Sequence, residues 1–73
     1  MVIDPTAPEW PRDQAANLVR ERIESGEWGP KLPSQMRMAE EIGVSPKTME
    51  KALDILKAEG LIYGVPGRGT FVR

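Results

Sequence analysis

Lys47 and Lys51 stand one helical turn apart, with Thr48 between them, directly after the turn-forming run Gly43-Val44-Ser45. Ammonium and hydroxyl groups in this pattern donate hydrogen bonds and carry positive charge. They suit the holding of phosphates and base edges rather than the breaking of bonds. A second donor, Arg68, lies between Gly67 and Gly69. The groups that most often drive catalysis are missing. The chain has no histidine and no cysteine, which removes the commonest general base, the commonest zinc ligand and any thiolate or disulfide. Glu40 and Glu41 are neighbours on an expected helix and point in different directions, so they form no carboxylate dyad. The sequence gives no reason to expect an enzyme, a metal or a cofactor.

The elements that position these donors are legible from caps and periodicity. Gly43 suits the left-handed end of one helix, Ser45 caps the next, and Pro46 fits its first position. Met49, Ala52, Leu53 and Leu56 then make one apolar stripe, with Lys47, Thr48, Glu50, Lys51 and Asp54 off it. Gly60 is the expected stop, with Lys57 in the last turn. Such a helix is what major-groove recognition requires, and it is equally the form of any amphipathic core helix.

Upstream, residues 1–9 contain two prolines and little periodicity, and are expected to form a flexible N-terminal arm. Residues 10–73 are expected to form a single domain. A first helix begins at Trp10-Pro11 and ends at Ser25-Gly26, with Ala16, Val19 and Ile23 as a narrow stripe widened by Leu18. Its polar face reads as solvated and laced by the pairs Asn17–Glu21 and Arg20–Glu24. Trp28 is expected to cover the edge of the core, and Leu32, before Pro33, to supply a very short strand. Ser34 caps a second helix, Gln35 to Ile42, with Met38, Ala39 and Ile42 facing inward. Only Gly43, Val44 and Ser45 separate it from the third, which is helix-turn-helix spacing. After Gly60 the apolar residues fall in short β-type runs around Pro66-Gly67-Arg68-Gly69, as in a hairpin.

With 73 residues and a net charge of −1, composition alone does not advertise a nucleic-acid partner. The distribution does more: residues 1–43 carry a net of −3 and residues 44–73 a net of +2. No apolar run is long enough to span a membrane and no signal-peptide pattern opens the chain, so a soluble cytoplasmic protein is expected.

Four segments, in order, resemble the DNA-binding domain of GntR-type bacterial transcription regulators. They are Arg20-Glu21-Arg22-Ile23 with Ser25-Gly26-Glu27; Leu32-Pro33-Ser34; Gly43-Val44-Ser45 with Ala52-Leu53 and Leu56; and Glu59-Gly60-Leu61 followed by Gly67-Arg68-Gly69-Thr70-Phe71-Val72. The resemblance runs from about Trp10 to Arg73. It implies a mainly α fold with a small β-hairpin, a winged helix-turn-helix of three helices plus a two- or three-stranded wing. It implies sequence-specific binding of double-stranded operator DNA, usually with repression. The homodimer it implies forms on a palindrome, either only on DNA or through a C-terminal effector domain. By position, the implied DNA contacts are Ser34, Gln35 and Arg37 on the second helix. Ser45, Lys47, Thr48 and Lys51 follow on the third, and Gly67, Arg68 and Gly69 in the wing.

The sequence departs from the family pattern where arginine is frequent, at Met36, Pro46 and Glu50. Met36 donates no hydrogen bond and Glu50 repels phosphate, although Glu50 can accept from a cytosine amine. Weaker binding or a different operator is the expected result. The alternative reading is a winged helix turned to protein–protein interaction, which the acidic first half and Met36 favour. Family members continue into an effector-binding domain, so this chain is expected to be either an isolated DNA-binding domain or a stand-alone small regulator. No effector pocket is expected within it.

Overall fold

The computed structural model describes residues 3–73. Residues 1 and 2 of the expected arm lie outside the described residues. The chain runs α1 (Pro11–Glu24), α2 (Gln35–Ile42), α3 (Pro46–Ala58), β1 (Ile62–Val65) and β2 (Gly69–Val72). The helix-turn-helix and hairpin expected from the caps and periodicity are both present, in the winged arrangement that the resemblance implies.

Each helix starts where its cap chemistry says. Ser34 and Ser45 are extended, and their hydroxyls accept the backbone N–H of Arg37 and Thr48 respectively. Trp10 precedes α1 without a side-chain cap, and Pro11 begins the helix. Gly43 ends α2 at φ 91°, a left-handed conformation that strongly favours glycine. α3 stops where its glycine implies, with Glu59 as C-cap and Gly60, the next residue, turning the chain at φ 77°.

The three helices, the α1–α2 loop and β1 supply the core, and Val72 of β2 packs against it partly buried. Val19 of α1, Met38 and Ile42 of α2, Met49 and Leu56 of α3, and Ile62 of β1 are all essentially inaccessible. Trp28 and Leu32, from the loop between α1 and α2, close its edge. The stripe of α1 is wider than its periodicity suggested. Ala15 is fully buried, while Ile23 and Leu18 are only partly so. Gln14 is buried too, and its amide is satisfied. Its Oε1 accepts from Asp4 N at 2.9 Å and its Nε2 donates to Glu9 O at 3.1 Å. Ile3 N donates to Ile42 O at 2.8 Å, so the described part of the N-terminal segment is tied to α1 and to the end of α2.

The expected pair Arg20–Glu24 is not the one formed. Arg20 reaches across to Glu59 at the end of α3, with N–O distances of 2.7 and 2.8 Å, and donates to Asn17 Oδ1 at 2.6 Å. A long side chain at a helix crossing finds a carboxylate on the neighbouring helix, a partner that sequence spacing cannot reveal.

β1 and β2 pair antiparallel in the register Ile62–Val72, Tyr63–Phe71, Gly64–Thr70, Val65–Gly69. The turn between them has Pro66 second and Gly67 third, at φ 75°, and Arg68 N donates to Val65 O at 2.9 Å. The expected short strand at Leu32 reduces to one bridge, Lys31 to Phe71, flanked by Leu32 N to Thr70 O and Val72 N to Pro30 O.

The Ser45 cap gives a stability prediction. Ser45→Ala is expected to cost about 1 kcal/mol in urea unfolding, and Ser45→Gly only a few tenths, about the usual values for helix caps. An unchanged unfolding midpoint for Ser45→Ala would show that the hydroxyl does not hold the first turn of α3.

Candidate nucleic-acid interface

One side of α3 is given to the core. Met49, Ala52, Leu53 and Leu56 are buried, while Lys47, Glu50, Lys51 and Asp54 are exposed on the other side and Thr48 is half-buried. Among the described residues, Lys47 and Lys51 have no ion pair or hydrogen bond, so both ammonium groups face solvent unengaged.

The ten residues expected to face DNA divide by what already holds them. Ser34 and Ser45 accept from the first turns of α2 and α3, leaving hydroxyls that are structural first. Ser45 Oγ also donates to Thr48 Oγ1 at 3.0 Å, so the Thr48 hydroxyl proton remains available to an outside acceptor. Gln35 Nε2 donates to Pro46 O at 2.9 Å, bracing the start of α2 against the start of α3. Arg37 is exposed, and its Nε donates to Glu41 Oε2 at 2.8 Å one turn along. Gly67, Arg68 and Gly69 are exposed at the wing tip, and a Cβ added at Gly67 would meet nothing within 4 Å. Arg68 has no side-chain partner among the described residues.

Three features near these residues escaped the sequence reading. Lys31, placed by its bridge to Phe71, lies along the wing: a Cβ on Gly69 would stand 3.2 Å from its Cε. Trp10 and Arg12, at the start of α1, line a cleft with Thr48 and Lys51 of α3. Nothing in the local pattern marks them, because the contact joins residues almost forty positions apart.

Glu41 is the electrostatic centre of the α1–α2 side. Besides Arg37, it accepts from Arg22 Nη1 at 3.0 Å, and Arg22 in turn covers the Trp28 ring at 4.7 Å. The hydrogen bond from Arg37 holds the Glu41 carboxyl below its ordinary value. Burial opposes this shift, and the charges of Arg37 and Arg22 reinforce it. Among the described residues, no cluster of three metal-ligating side chains occurs and no helix is long and apolar enough to cross a membrane.

Comparison with known proteins agrees with this architecture. The family model described as bacterial regulatory proteins, gntR family, matches residues 11–72. The chain is 43% identical over 61 residues to the HTH-type transcriptional repressor NagR of Bacillus subtilis (strain 168), covering 81% of this chain and 25% of NagR. It is also 43% identical over 61 residues to the HTH-type transcriptional regulator YdfD of the same organism, covering 81% of this chain and 13% of YdfD. The chain thus spans a quarter or less of the length of these relatives. Among solved structures, the AraR DNA-binding domain in complex with operator ORX1 superposes with a TM-score of 0.79 at 31% identity. That match covers 100% of this chain and 93% of the AraR domain.

The Glu41 network makes a pH prediction. Because the folded-state value is depressed, the stabilisation is fully present above the ordinary glutamate value of 4.5 and is lost as pH falls through the folded value. The carboxyl carbon of Glu41 is expected to titrate below 4.5 by NMR, and Arg37→Ala to move its midpoint upward. A wild-type midpoint at 4.5, unmoved by the substitution, would remove Arg37 as the cause.

Proposed function

The chain belongs to the gntR family of bacterial regulatory proteins, and from that premise we propose that it regulates transcription by binding duplex operator DNA in a sequence-dependent way, most simply as a repressor. The carrying observation is the placement of unengaged cations. Lys47 and Lys51 stand on the solvent side of α3, whose other side is locked into the core, and Arg68 stands at the tip of the adjoining wing. α3 fits the major groove with its N-terminal residues toward the base edges, and the wing brings Arg68 to the flanking backbone or minor groove.

In this reading Lys47 and Thr48, nearest the start of α3, read base edges, and Lys51 holds a phosphate. Ser34, Ser45 and Gln35 act chiefly by fixing α2 and α3, with Ser34 and Ser45 offering secondary backbone contacts. Arg37 reaches a phosphate by leaving Glu41 or by sharing the guanidinium with it. Gly67 and Gly69 let the wing approach closely. Two copies on half-sites about 10 base pairs apart suit a palindromic operator. Met36, which is 62% exposed, and Glu50 stand where family members often carry arginine. Affinity below that of arginine-rich relatives, or a different operator, follows. The repressor NagR and the AraR–operator complex support this reading by similarity. Operator, effector and dimer contacts of any longer protein belong to the same proposal.

Selection from a random duplex pool at two salt concentrations tests it. An enriched palindrome whose retention falls with salt is expected. Absence of both enrichment and salt dependence would favour a protein-interaction module. Lys51→Ala is expected to weaken binding to every sequence, whereas Lys47→Ala and Thr48→Ala relax the selected sequence. Unchanged preference in both latter variants would remove α3 from base readout. Arg68→Ala should lower the salt slope by about one phosphate equivalent if the wing lies on the backbone. An unchanged slope would place the arginine elsewhere.

A further inference from the structure

Two clefts flank the start of α1, and their linings differ in sign. One, of about 270 Å³, is bordered by Asp4, Glu9 and Glu21, three carboxylates that repel a polyanion. The other, of about 210 Å³, is lined by Trp10, Pro11, Arg12, Thr48 and Lys51, two cations and no carboxylate. Glu50 neighbours Lys51 along α3 and Asp13 follows Arg12, but neither lines the cleft.

Each polar group in the second cleft donates. The Arg12 guanidinium lies over the Trp10 ring at 5.7 Å, a geometry that leaves its N–H edge free. Lys51 has no partner among the described residues. The Thr48 hydroxyl accepts the hydrogen bond of Ser45 Oγ and keeps its own proton to donate. Trp10 is 68% exposed. A lone exposed aromatic carries no message, but this one forms the wall of a cleft of donors that opens beside the recognition helix. Its flat face suits a sugar, and its indole N–H donates only.

We infer that this cleft seats one backbone phosphate, with its deoxyribose, on the strand bordering the groove that α3 enters. Arg12 and Lys51 hold the phosphate and Trp10 covers the sugar, while Thr48, on the α3 wall of the cleft, stays with the base edges. The inference rests on the DNA-binding reading and extends it: Trp10 and Arg12 become a clamp from α1 on the duplex, outside the helix-turn-helix and the wing. Such a contact fixes register and adds affinity without reading sequence.

The test uses the full chain and a duplex retained in the selection. Trp28 is buried, so quenching by acrylamide reports mainly on Trp10. Saturating duplex is expected to protect Trp10, and inorganic phosphate at matched ionic strength is not. Arg12→Ala should leave the selected sequence unchanged and lower the salt slope by about one phosphate equivalent. That corresponds to roughly a threefold smaller loss of affinity between about 50 and about 200 mM salt. Trp10→Ala should weaken binding equally to all duplexes, with helical circular dichroism confirming the fold of both variants. Wild-type binding that leaves Trp10 quenchable and a slope untouched by Arg12→Ala would overturn the clamp alone. An altered base preference in Arg12→Ala would overturn the phosphate assignment, as would protection by inorganic phosphate alone. Failure of the wild-type chain to bind any duplex would overturn both the clamp and the reading beneath it.

Discussion

Three residues, Gly43, Val44 and Ser45, must set the angle between two helices, and they have almost no freedom in doing so. Gly43 takes a left-handed conformation, and the N–H groups of Gly43 and Val44 both donate to Ala39 O, at 2.8 and 3.0 Å. Ser45 is extended and caps α3 with its own hydroxyl. From the far side, Gln35 donates to the carbonyl of Pro46. A residue with a Cβ at Gly43 would enter a region that L-residues rarely occupy. The burial of Met49, Leu53 and Leu56 against Met38 and Ile42 depends on that angle, and so does the aim of Lys47 and Lys51. In a domain this small there is little core to compensate for an error of direction.

The overall charge of −1 is compatible with unengaged cations on α3 and the wing because most of the structure's ion pairing lies elsewhere. Arg20 is paired with Glu59, Arg22 with Glu27 and Glu41, and Arg37 with Glu41. These exposed or half-exposed pairs add little stability individually. Their effect is to occupy carboxylates with arginines on the side of α1 and α2, while the lysines of α3 and the arginine of the wing stay unengaged. Lys47 and Lys51 share the exposed side of α3 with Glu50 and Asp54, so the positive charge there is local to the two ammonium groups and not a property of the whole side.

Local chemistry made much of the fold readable in advance. Ser34, Gly43, Ser45 and Pro46 mark helix ends through interactions within a few residues, so α2 lies where they place it and α3 begins where they place it. The hairpin was equally plain from Pro66 to Gly69, since turn geometry is local. What escaped was set by distance along the chain. Arg20 chose Glu59 over Glu24, and Gln14 is buried because the backbone near Asp4 and Glu9 folds back onto it. Lys31 reached the wing through a single bridge. The cleft of Trp10 and Arg12 against Thr48 and Lys51 exists only once α1 crosses α3. The donors of α3 and the wing were legible as residue types. Which of the candidates were already committed to caps and braces was not.

That division bears on how the domain can discriminate among DNA sequences under the proposed reading. Arginine offers a planar fork that reads guanine through two bonds, whereas lysine is a mobile point charge. With Pro46 at the start of α3, the chain gains a rigid helix entry and a carbonyl fixed by Gln35, and has no side-chain donor at that position. Glu50 adds an acceptor beside the donors Lys47, Thr48 and Lys51, so a cytosine amine is the base edge it favours and a phosphate is what it repels. Discrimination then rests on few base contacts held in a closely fixed register. A register of that kind is better secured by backbone contacts spread across α1, α3 and the wing than by any one of them, because each phosphate fixes position while carrying no sequence information.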